Sequence, residues 1–131
     1  MHSTLLDDTG KLLFRLGFGV LFLLHGLHKI TNGIEGIQAM VVNANLPEFL
    51  AYGVYVGEVL APLLIILGWH ARVGAVLTAI TMVFAIHLAH AHQLLDMTAH
   101  GGWQLELQGM FLLAGIAIAL FGPGRFSLNG R

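Results

Sequence analysis

Cysteine is absent from this chain and charge is scarce. Zero cysteines exclude disulfide exchange, thiolate metal sites and iron–sulfur clusters held by the chain's own thiols. Any redox role therefore runs through a bound cofactor or a partner. Charged residues make up 10% of the sequence with a formal net charge of -1, so the basic patch that nucleic acid requires is missing. No dinucleotide fingerprint, phosphate loop, low-complexity tract or clear internal repeat is present either. What is there is apolar: 131 residues, 56% hydrophobic, with a mean hydropathy of +0.80. That is too greasy for an ordinary soluble domain and too short for two domains.

The apolar residues fall into four segments, and the expected fold is all-α: one four-span membrane bundle over 1–131, with helices at about 12–30, 49–68, 73–91 and 103–121. Thr31, Asn32 and Gly33 form a turn signal after the first segment, and Gly122, Pro123 and Gly124 stop the last. The connection 31–47 is polar enough to leave the membrane and has room for a short amphipathic helix around 34–42. Asp7 and Asp8 sit where a secretory signal would be basic, so the first helix is expected to be retained. Lys11, Arg15, Arg72, Arg125 and Arg131 share one side under this topology and Lys29 stands alone on the other. The positive-inside rule then puts both termini in the cytoplasm. Arg15 is expected to snorkel to headgroups and Arg72 to contact lipid phosphate, with Trp69 and Trp103 as boundary anchors.

Segment 49–68 carries a carboxylate, Glu58, near its middle. A charge at mid-membrane costs a few kcal/mol or more unless paired, so Glu58 is expected to face the bundle interior and to have partners. Tyr55, Glu58 and Pro62 share one helix face. Gly53, Gly57 and Ala61 form a small-residue ridge on a neighbouring face, expected to pack against Ala75 and Ala79.

The same topology gathers His25, His28, His87, His90, His92 and His100 in the outer half, together with Glu58 and Glu106. His87 and His90 lie three apart on one face. Three chemistries use such a set. A metal held between helices would take His87, His90, Glu58 and Glu106. A haem would take His25 and a histidine of the third helix as axial ligands. A quinone pocket would use a histidine and a carboxylate to hydrogen-bond the carbonyls and exchange protons.

Several local patterns coincide along nearly the whole chain: Arg15 and Gly17, then His25, Gly26 and Lys29; Glu58, followed by LLIILG and Arg72; Met82 and His90; Gly101, Gly102 and Glu106; and the closing GPGRFSLN from Gly122 to Asn129. With these the sequence resembles the DoxX family of small bacterial four-helix membrane proteins. It departs from the family pattern at Asn129, where an aspartate is common, and at the additional His87 and His92. The resemblance implies a bacterial inner-membrane location, multi-pass, and for some relatives an association with quinone-linked oxidation or with membrane oxidoreductase complexes.

The expected function is thus a subunit of a quinone-linked redox system. Glu58, His25 and His90 bind quinone or relay its proton, Glu106 opens the path outward, and Tyr55, Lys29 and His87 border the cofactor. The expected partners are membrane lipid, an oxidoreductase that supplies electrons, and a second copy of the chain. Two readings stand beside it: permanent metal or haem binding by the same cluster, and a non-catalytic partner or small transporter.

Overall fold

The structure is a computed structural model and describes residues 4–90 and 93–129, with 89 and 90 described through their backbone. The first helix, α1 (Leu5–Asn32), begins well before residue 12. Thr4 accounts for that: its hydroxyl accepts a hydrogen bond from the Asp7 N–H at 3.0 Å, and the Asp7 and Asp8 carboxylates favour the positive end of the helix dipole. Gly10, two residues ahead of the expected start at 12, lies inside it.

The short helix α2 (Glu35–Asn43) follows where an amphipathic segment is expected. Helix α3 (Glu48–Leu67) is a continuous helical path in four windings: a 3-10 turn Glu48–Tyr52, α over Gly53–Tyr55, a π turn Val56–Leu60, and α again over Ala61–Leu67. Helix α4 runs as α over Ala71–Ala85 and widens into a second π turn, Ile86–His90. The last helix, α5 (Glu106–Phe121), starts later than 103. Trp103 belongs to the preceding loop: it pairs with Met97 in an isolated bridge and its indole N–H donates to the Leu94 carbonyl at 2.8 Å.

Among the described residues the fold is all-helical without a strand. Three helices, α1, α3 and α4, are long and apolar enough to cross a membrane, and at most 33% of each hydrophobic window is buried by the protein itself. Helix α5 is as apolar but has 16 residues, about 24 Å, short of the roughly 30 Å of a hydrocarbon core.

The core is built on aromatic packing. Phe18 and Phe22 of α1 stack at 5.5 Å, and Phe111 of α5 meets them edge-on at 5.7 and 5.0 Å. The expected ridge packing is corrected in its partners. Gly53 has no heavy atom near its missing side chain, Gly57 packs against Thr81, and Gly74 of α4 packs against the Ala61 carbonyl of α3. Ala75 and Ala79 face α5 instead, where a Cβ on Gly115 would lie 3.1 Å from the Ala75 carbonyl oxygen.

One end of the bundle is locked by the C-terminal segment. Arg15 is only 2% exposed, so it does not snorkel: it donates to the carbonyls of Pro123 (2.6 Å), Phe126 (2.8 Å) and Ile66 (3.4 Å). Asp8, equally buried, accepts from the Arg125 N–H at 3.1 Å. Arg72 caps α5 by donating to the carbonyls of Ala119 and Leu120 at 2.8 and 2.9 Å, satisfying groups a helix end leaves open. The planar guanidinium of Arg15 spreads its donors over two terminal nitrogens to reach three separate carbonyls, a geometry that the single, compact nitrogen of an ammonium does not match. Arg15→Lys is therefore expected to lower stability by about 2 kcal/mol, read as a lower midpoint of thermal unfolding in detergent with the helix content unchanged.

Candidate functional site

The site begins with Pro62. Proline has no N–H, so the carbonyl of Glu58, four residues earlier, loses its usual helical donor, and the proline ring crowds that carbonyl. The chain widens there: the Ala61 N–H reaches back five residues to the Val56 carbonyl. A π turn of this kind commonly marks a functional position in a helix. The displaced Glu58 carbonyl lies against Gly26 of α1, where any Cβ would overlap it. Glycine at 26 thus lets α1 and α3 approach at the level of the carboxylate.

Across that contact Lys29 Nζ donates to Glu58 Oε2. Glu58 is 3% exposed and its partner's side chain 28%, so the pair is held inside the bundle with the ammonium nearer the rim. Lysine carries three donors, and the one given to Glu58 leaves two for other acceptors.

Both groups form the wall of a cavity of about 580 Å³, within the range of small-molecule sites. His25 lines it too, its ring edge-on to Phe111 at 5.4 Å. Thr81 and Gln108 add polar groups, and the remaining wall is aliphatic or aromatic, including Val54, Leu77, Ile80, Phe84 and Leu88. The roof is α2, through Ile37, Met40 and Val41. It is fixed by a second small core in which Ile34, Val41 and Ala51 are almost fully buried.

Of the residues expected from the sequence, the structure brings together Glu58, Lys29 and His25. Tyr55 packs on the second core beside Ala51, outside the cavity wall. His87 is exposed on α4, and Glu106 is exposed at the start of α5 with its carboxylate against Gly102; neither lines the cavity. The side chain of His90 and all of His92 lie outside the described residues. Among the described residues no three His, Asp or Glu side chains converge in a metal-binding cluster. The sequence reading sought histidines as partners of Glu58, whereas Lys29 fills that place. Charge balance was the available signal, since Lys29 is the one basic residue expected on that side. Thr81 and Gln108 carried no comparable signal, and Gly26 stood out only as part of the family pattern with His25 and Lys29.

A family model described as DoxX matches residues 10–91, a span that includes His25, Lys29 and Glu58 and ends at the close of α4. The chain is also 31% identical over 122 residues, 93% of its own length and 86% of the relative's, to a Bacillus subtilis (strain 168) protein named "Putative oxidoreductase CatD". No solved structure matches the chain.

Proposed function

This chain belongs to the DoxX family, and on that premise we propose that it is a multi-pass subunit of a quinone-linked membrane redox system in which the α1–α3 cavity holds the quinone head. The observation that carries the reading is the Lys29–Glu58 pair set in the wall of an otherwise mostly apolar cavity of about 580 Å³. An intramembrane ion pair is costly to maintain and is by default a functional site, and a ring with two carbonyl oxygens and an apolar body matches a wall of few donors among many hydrocarbon groups. In this reading α5 is a fourth span, both termini face the cytoplasm of a bacterial inner membrane, and the cavity lies in the outer half.

Each residue then has a task. Lys29 donates a hydrogen bond to one carbonyl oxygen while Glu58 fixes the ammonium in place. His25, on the same wall, is within the cavity's reach as a proton carrier. Quinone reduction takes up two electrons and two protons. The chain has no cysteine, and in this reading the electrons come from a partner oxidoreductase, as the name of the Bacillus subtilis relative invites.

The test is a titration of detergent-purified protein with a naphthoquinone, beside a Lys29→Met/Glu58→Gln double variant in which no charge is left unpaired. Losing a charged donor should weaken binding at least about tenfold. Equal affinity of the two proteins, or no saturable binding to the wild type, would overturn the proposal.

A further inference from the structure

The α2 roof is seated on the start of α3, where Val41 of α2 and Ala51 of α3 are each 2% exposed. The open side of the cavity is apolar. Val56 of α3 and Ile80 and Phe84 of α4 line the cavity and yet are 44 to 50% exposed, on helices whose outer faces meet lipid. These exposed apolar side chains offer a lipid-soluble molecule a way to Lys29 and Glu58 between α3 and α4.

Ile80 and Phe84 have a second role. They also border a separate groove of about 420 Å³ along the outer face of α4 and α5, lined by Val76, Ala79 and Val83 on one side and Leu112, Ile116 and Leu120 on the other. The groove contains no charged or hydrogen-bonding side chain. From Phe84 to Val76 it follows α4 for about 12 Å. Its far end meets the Leu120 carbonyl, where Arg72 donates. Cavity and groove thus adjoin at Ile80 and Phe84, and the lining changes across these two side chains from partly polar to purely hydrocarbon.

We infer that the ligand of this site is a long-tailed amphiphile, a lipid quinone rather than a free ring, whose head sits against Lys29 and Glu58 and whose tail leaves between Ile80 and Phe84 to lie in the α4–α5 groove. The inference rests on the reading that the cavity takes a quinone head. Sharing two lining side chains with the cavity is what distinguishes this groove from the other lipid-facing surfaces, such as the α1 face carrying Leu13 and Leu24. A chain in lipid gains nothing hydrophobic by moving onto a helix face, so the groove acts by direction: a seated head delivers the tail there.

The experiment uses the full chain in lipid nanodiscs and a naphthoquinone with a photoreactive diazirine on a decyl tail, mapped by mass spectrometry with and without tail-free naphthoquinone as competitor. Labelling is expected to concentrate on peptides holding Val76, Val83, Leu112 and Ile116. It should fall about tenfold there with competitor at roughly ten times its dissociation constant, while scattered labelling of α1 stays. Competitor-sensitive labelling near Lys29 and Glu58, measured with the diazirine moved to the ring, but groove labelling no higher than on α1, would overturn the tail assignment and leave the head site standing. Absence of competitor-sensitive labelling with either probe would overturn both.

Discussion

Replacing Lys29 with methionine is expected to lower stability by about 3 kcal/mol or more, among the largest effects of any single substitution in this chain. The expectation follows from burial. Glu58 is 3% exposed, and among the described residues its carboxylate forms one ion pair, with Lys29. Removing the ammonium leaves an unpaired polar group in a low-dielectric interior, which is costly. The second substitution should reverse much of the loss: Lys29→Met/Glu58→Gln removes both charges, and replacing a buried pair by neutral groups is often close to neutral in stability. Thermal unfolding of wild type, both single variants and the double variant in one detergent gives the coupling between the two residues. A double variant as unstable as Lys29→Met would mean that lysine's packing, not its pairing, is what counts.

Gly26→Val is expected to separate α1 from α3 and to abolish quinone binding together with a large loss of stability. A Cβ at residue 26 would overlap the backbone carbonyl oxygen of Glu58 and fall 2.6 Å from its carbonyl carbon, and backbone cannot rotate aside as a side chain can. Overpacking of this kind costs about 1–3 kcal/mol or more. Gly57→Ala makes the contrasting case. Its Cβ would meet the Thr81 side chain, which truncation can clear, so Gly57→Ala/Thr81→Ala should recover most of the stability that Gly57→Ala loses. No second substitution on α3 removes the carbonyl that opposes Gly26. Gly26→Val with unchanged stability and binding would show that α1 and α3 do not meet as described.

These two positions also show what a reader of the sequence can and cannot see. The membrane helices were legible because their apolar runs are long and their ends are marked by glycine, proline and polar turns. The expected 49–68 and the observed Glu48–Leu67 differ by one residue at each end. The demand of Glu58 for a partner was legible too, since it follows from an ionisable group in an apolar span. Its identity was not. Helical spacing fixes which residues share a face of one helix, but Lys29 and Glu58 stand on different helices, and their meeting depends on the α1–α3 approach at Gly26 and on the π turn ahead of Pro62. A uniform α-helix through 49–68 would turn the residues ahead of the bulge to a different face.

Arg15 was misread for a related reason. Near the end of a membrane helix a long basic side chain usually reaches for the headgroups, and nothing local reveals that the segment from Pro123 to Phe126 returns to supply carbonyls in its place. The late start of α5 has a similar origin: Trp103 looks like a boundary anchor by composition, while its indole N–H and its backbone pairing with Met97 tie it to the loop.

The central claim is that Lys29, held by Glu58, is the group that recognises a quinone carbonyl. The infrared difference spectrum of bound naphthoquinone reads it most directly, because a carbonyl that accepts a hydrogen bond from an ammonium stretches at lower frequency than a free one. The account predicts a downshifted carbonyl band in the wild type that returns toward the free position in Lys29→Met/Glu58→Gln. A bound quinone whose carbonyl bands are the same in both proteins would contradict it.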